Sequence, residues 1–240
     1  MEFRTLHADE IDCRVAQIDK TWCTVLLYKD ARVDQNILDE TVGCMNWQNH
    51  YSRDNANCTV AIWDEDKKEW VEKENTGKES FSEAEKGLAS DSFKRACFNW
   101  GIGRELYTAP SIFITPRKDI KYRNDGKEVD EFYEYKDGKY TTKTRFWVEL
   151  IDYDDNKRIK DLIIRDNKNN IRFAELTKEK QKELAEIHTT LKKLIETIED
   201  KDDNFDREKL YEHYKATSDG QLTYEQMKDA IEILKKKVGK

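Results

Sequence analysis

The sequence predicts an α+β fold. An antiparallel sheet in the order strand, strand, helix, strand, strand, strand, helix carries a β-hairpin extension, and a small α-helical domain follows at the C-terminus. Three observations predict it. Short segments of alternating polarity rich in Val, Leu, Trp and Tyr recur through residues 12–165. Two stretches, 30–43 and 82–101, instead place their apolar residues on one helical face. Beyond Thr177 the alternation stops, and Leu184, Ile187, Leu191, Leu194 and Ile198 keep heptad spacing for about two heptads. The expected domains are therefore 1–175 and 176–240.

Residues 12–19 and 22–29 read as a hairpin broken at Asp19-Lys20-Thr21. In the helix that follows, Val33, Ile37, Leu38 and Val42 share a face, Asp30 is the N-cap and Gly43 the stop. Residues 45–53, 57–64 and 68–74 form a meander joined at Asp54-Asn55 and at the charged turn from Glu65 to Lys68. A Ser82–Glu85 capping box opens the second helix, of about 19 residues. Its core stripe is Ala89, Phe93, Ala96, Cys97 and Trp100, and Gly101 ends it. Residues 111–115 form a short strand closed by Pro116, residues 131–150 a hairpin around Asp137-Gly138 with a strong second strand, and residues 158–165 one more strand. Helices begin at Thr177, around Leu210 to Tyr214, and at a Thr223–Gln226 capping box.

Composition narrows the function. With 43 Lys and Arg against 50 Asp and Glu, the chain has a formal charge of −7, so an anionic polymer would need a local stripe of positive charge. The apolar runs fall well short of a membrane span, and the acidic N-terminus is unlike a signal peptide; a soluble intracellular protein with no membrane partner is expected. Five scattered cysteines without a C-x-x-C pair suggest small core residues in a reducing compartment, not a disulfide framework or a zinc site.

Enzyme motifs fare poorly. Asp54 with Glu65-Asp66-Lys67 imitates a metal-nuclease arrangement but falls in what reads as solvent turns. A phosphate-cradling loop ending in Gly77-Lys78 would need a glycine where Glu72 stands. A calcium loop with Gly220 at its sixth position would begin at Lys215 and end at Gln226, without the charged ligands it needs. His7, His50, His188 and His213 show no ligand spacing. No enzyme, metal or cofactor is expected.

The stretch Ser90-Asp91-Ser92-Phe93-Lys94-Arg95-Ala96-Cys97-Phe98-Asn99-Trp100-Gly101 singles out two adjacent cations. At 100° per residue, Lys94 lies roughly 115° and Arg95 roughly 145° from the centre of the apolar stripe, so both should point away from the meander, beside Phe98. This stretch, with Asp39-Glu40-Thr41-Val42-Gly43-Cys44-Met45-Asn46-Trp47 before it, resembles the Rad fifty-two superfamily of single-strand annealing proteins, phage recombinase type, over about residues 12–110.

The resemblance implies ATP-independent binding of single-stranded DNA and annealing of complementary strands in homologous recombination and double-strand break repair. It implies a homo-oligomeric ring or arc in the cytoplasm of a bacterial host, associated with the nucleoid. Lys94 and Arg95 match the family's groove cations. Tyr28, Arg32 and, more loosely, Arg14 are secondary matches, and Arg104 past the Gly101-Ile102-Gly103 turn is a further candidate. Where eukaryotic members carry a third cation this chain has Phe98. Lys121, Arg123, Lys143 and Arg145 could give a second basic surface, though acidic neighbours favour a solvated face. The C-terminal helices would either stabilise the subunit or pack on its neighbour or, by the same analogy, hold a replication protein that coats single strands. The alternative is a protective single-strand binder without annealing activity.

Overall fold

The computed structural model describes residues 1–78, 84–202 and 205–238, with the side chains of 84–86 and 238 left aside. In chain order the elements are β1 (Asp12–Ile18), β2 (Cys23–Tyr28), α1 (Ala31–Val42), β3 (Trp47–Ser52), β4 (Asn57–Asp64), β5 (Glu69–Thr76), α2 (Ala84–Trp100), β6 (Ile112–Ile114), β7 (Lys121–Asn124), β8 (Lys127–Asp130), β9 (Tyr133–Lys136), β10 (Lys139–Thr141), β11 (Phe146–Tyr153), β12 (Ile159–Asp166), β13 (Ile171–Glu175), α3 (Lys178–Glu199), α4 (Arg207–His213) and α5 (Tyr224–Val238). The α+β class is as the sequence predicts. The Ser82–Glu85 capping box lies outside the described residues.

The chain forms two compact units, Met1–Asp12 with Leu27–Ala109, and Cys13–Leu26 with Pro110–Lys240. In the first, α1 starts where the Asp30 carboxylate accepts the Arg32 amide and stops at Gly43, whose φ of 83° suits glycine. The antiparallel sheet β3-β4-β5 is packed by α2 across β4 and β5, and α1 packs against α2 and β3. Val60, Ile62, Phe93, Ala96 and Cys97 are among its buried residues.

In the second unit the sheet order is β13-β12-β11-β1-β2-β6. Its outer strands β6 and β13 come within 8 Å of each other at Cα, and the Arg172 guanidinium donates to the Thr115 carbonyl at 2.7 Å, so this sheet curls towards closure. The helices read from sequence as a separate domain belong to this unit. Leu191, Ile195 and Ile198 of α3 and Met227, Ile231 and Leu234 of α5 form their core, while Tyr224 packs with Leu150 of β11 and Ile163 of β12.

Two strand expectations are corrected. The hairpin around Asp137-Gly138 is the short pair β9–β10, and the strong strand beginning at Phe146 pairs with β12. The diversion falls at 142–145, where the Thr144 hydroxyl is held by Glu131 and Tyr122 and its amide by Thr142. The hairpin β7–β8 turns at Asp125-Gly126, both at positive φ, in a stretch where the sequence signals assign no element. Among the described residues no helix is long and apolar enough to cross a membrane.

Candidate nucleic-acid interface

The site is built on α2. One side of this helix is fixed to the sheet. Phe93 meets Trp47 with ring centroids 6.1 Å apart, and the Trp100 indole donates to the Val60 carbonyl at 3.0 Å. The Asn75 side chain donates to the Arg95 carbonyl and the Lys73 ammonium to the Asn99 carbonyl, at 3.2 and 3.0 Å. Where Gly77 passes the helix, a Cβ would stand 2.6 Å from the Ser92 amide, so only glycine fits that approach. A helix held this way presents its other side rigidly.

Lys94 and Arg95 both lie off the packed stripe, as their spacing requires, but neither is a fully solvated cation. Lys94 is half-buried towards the acidic start of α1, where its charge helps hold Asp30 and Asp34 ionised. Asp30 is held down at about 2, first by its hydrogen bonds with Arg32. Arg95 pairs with Asp91 one turn earlier at 2.8 Å and keeps 40% of its side chain exposed. That hydrogen bond raises the guanidinium above its ordinary value.

The secondary candidates separate. Arg32 is 82% exposed and pairs with Asp30 at 2.7 Å, two residues after the exposed Tyr28 at the end of β2, so both stand at the α1 start that Lys94 faces. Arg104 has a defined structural role, since it donates to the carbonyls of Phe98 and Asn99, both at 2.8 Å, and so caps the C-terminus of α2. Arg14 is exposed on β1, in the second unit, whereas the other candidates belong to the first.

Sequence reasoning missed Tyr107. It stands 76% exposed on the short 3-10 turn after Gly103, with its ring 4.9 Å from that of Phe98, and Arg104 lies over Phe98 at 5.5 Å. A lone tyrosine in a five-residue turn has no periodicity to mark it. Also missed is the buried Lys29–Asp34 ion pair beneath the α1 start.

The other constellations do not assemble into sites. Asp54 and Glu65 sit at opposite ends of β4, about 25 Å apart at 3.3 Å per residue, which separates the nuclease-like residues. Lys121 pairs with Asp130, and Lys143 donates to the Arg123 carbonyl. Among the described residues no three His, Cys, Asp or Glu side chains gather as metal ligands. Comparison with protein-family models, with curated proteins and with solved structures finds no match to this chain.

Proposed function

We propose that this protein binds single-stranded DNA and anneals complementary strands without nucleotide hydrolysis, as a homo-oligomeric ring or arc serving recombination and double-strand break repair in a bacterial host, from a phage or prophage. One observation carries the reading. The motif at residues 90–101 stands on a helix clamped to its sheet, which leaves Lys94 and Arg95 off the packed stripe, both half-buried, in the same unit as the exposed Tyr28 and Arg32 at the α1 start.

The physical logic needs only these parts. Two strands repel, so a protein that helps them pair must neutralise the phosphates of one and leave its base edges open. Cations on a rigid helix meet the first requirement, and base pairing itself reads the sequence. Repetition around an oligomer would let a weak local attraction overcome the net charge of −7 on each chain.

A fluorescence assay with complementary oligonucleotides and no ATP tests the activity. Wild type should accelerate pairing, and Lys94→Ala/Arg95→Ala should lose the acceleration while remaining folded at the assay temperature. Each lost phosphate contact should flatten the log–log salt dependence of binding by about 0.7. Protection of single strands with slower pairing would favour a purely protective role. A variant that binds and anneals as wild type does would refute the site.

For the replication partner, α4 and α5 offer an open, mainly apolar groove of about 320 Å³ lined by Phe205, Leu210, Ile233 and Leu234, with Lys209, Lys237 and His213 against the single carboxylate of Asp206, a composition suited to an acidic, partly apolar segment. Capture of a purified strand-coating protein should fall on Lys209→Glu/Lys237→Glu substitution. Unchanged capture would remove the groove from consideration.

A further inference from the structure

We propose that Tyr107, supported by Phe98, is a stacking platform for an unpaired DNA base beside Arg95; the inference rests on the single-strand reading above and adds a base contact to its phosphate contacts. Large exposed rings are ordinary on protein surfaces when they stand alone. Tyr107 does not stand alone. Its ring meets Phe98 edge to face at 62° with 4.9 Å between centroids, Arg104 lies over Phe98, and Arg95 precedes Phe98 by three positions on α2, the spacing of neighbours along one helix face.

The platform is also held still. The turn that bears it is fixed at one end by Arg104, tied to the last carbonyls of α2. Inside the turn the buried Glu105 carboxylate accepts the Leu6 amide at 2.8 Å, and the Thr108 hydroxyl donates to the Glu105 carbonyl at 2.7 Å. An aromatic face rigidly offered beside cations is the arrangement by which proteins hold single strands without reading sequence. Phe98 is the residue that supports the ring.

The geometry suits annealing. Stacking engages the π-face of a base and leaves its Watson–Crick edge open to an incoming strand. A base already paired within a duplex is unavailable, so the platform favours single strands over double.

Tyr107→Ala and Tyr107→Phe separate this contact from the phosphate contacts. Anisotropy titrations would use a labelled thymidine oligonucleotide and an abasic oligonucleotide of equal length. Tyr107→Ala should weaken thymidine binding about tenfold, Tyr107→Phe should restore it, and abasic binding and the salt slope should hardly move. Equal weakening of both probes, or of neither, would overturn the platform, and so would a change in the mass of the DNA-free assembly, which would make Tyr107 a subunit contact. The phosphate reading survives those results if Lys94→Ala/Arg95→Ala still loses binding. Failure of wild type to bind either probe overturns both.

Discussion

The Lys29 ammonium donates to both carboxylate oxygens of Asp34, in a pair where Lys29 keeps 8% of its side chain exposed and Asp34 none. Burial pushes the Asp34 carboxyl up to about 6, although Lys29 and then Lys94 pull it down and Glu105 adds to the rise. A carboxyl with a raised folded-state value takes up a proton on folding. Its contribution to stability is thus full below its ordinary 3.8 and is lost as the pH climbs through about 6. Lys29→Met should remove the compensating cation and raise Asp34 further. The variant's deficit in urea unfolding should grow between about pH 5 and about pH 7.5, by up to about 2 kcal/mol at 1.36 kcal/mol per unit. A deficit independent of pH would mean that Lys29 acts by packing alone.

Gly103 should be less replaceable than Gly101. Both have positive φ, 75° and 106°, but a Cβ at Gly103 would stand 2.2 Å from Lys29 Cε, whereas one at Gly101 meets nothing within 4 Å. A lysine tail usually yields to such a contact; this one is held by Asp34. Gly101→Ala should cost about 1–2 kcal/mol from left-handed backbone strain, and Gly103→Ala about 1–3 kcal/mol more from crowding. The excess should shrink when Lys29→Met is present, since the two changes share one contact. Equal melting temperatures for the two alanine variants would contradict this.

Asp91 should compete with DNA for Arg95. Its carboxylate accepts both the Arg95 guanidinium and the Lys78 amide at 2.8 Å. Asn at this position keeps an oxygen for the amide and removes the charge that a phosphate would have to displace. Asp91→Asn should therefore bind oligonucleotides severalfold more tightly at low salt, with the gain fading as salt screens it. Weaker binding would show that Asp91 instead holds Arg95 in its working position.

What the sequence made legible follows from how local its causes are. Asp30 and Gly43 bound α1 because a cap and a left-handed stop act within one turn, and the Thr223–Gln226 box opening α5 is present in both of its hydrogen bonds. The rotation of Lys94 and Arg95 away from the core stripe followed from helical period alone. What escaped depends on distant partners. Chain direction at 142–145 is set by Glu131 and Tyr122, and Lys94 is half-buried although the helical period puts it off the core stripe. Among the contacts that join the helical region to its sheet is an arginine that looks, in sequence, like the polar member of an apolar strand.

That arginine is Arg165 on β12, with 2% of its side chain exposed. Its guanidinium pairs with Glu149 of β11 and donates to the Asn169 carbonyl, then to the carbonyls of Gly220 and Leu222 at 3.2 and 2.9 Å. Glu149 in turn accepts the Tyr224 amide at the start of α5, at 2.6 Å. One buried cation thus satisfies the turn before α5, and its counter-ion satisfies the first residue of that helix. Arg165→Met fills the same space yet leaves Glu149 buried without its cation and the carbonyls of Asn169, Gly220 and Leu222 without this donor. The expected cost is about 3–5 kcal/mol, read as a lower midpoint in urea. Arg165→Met with Glu149→Gln should recover part of it, because the stranded charge is gone while an acceptor for Tyr224 remains. A loss below about 1 kcal/mol in the single variant would show that apolar contacts such as Tyr224 with Leu150 and Ile163 hold the helices without it.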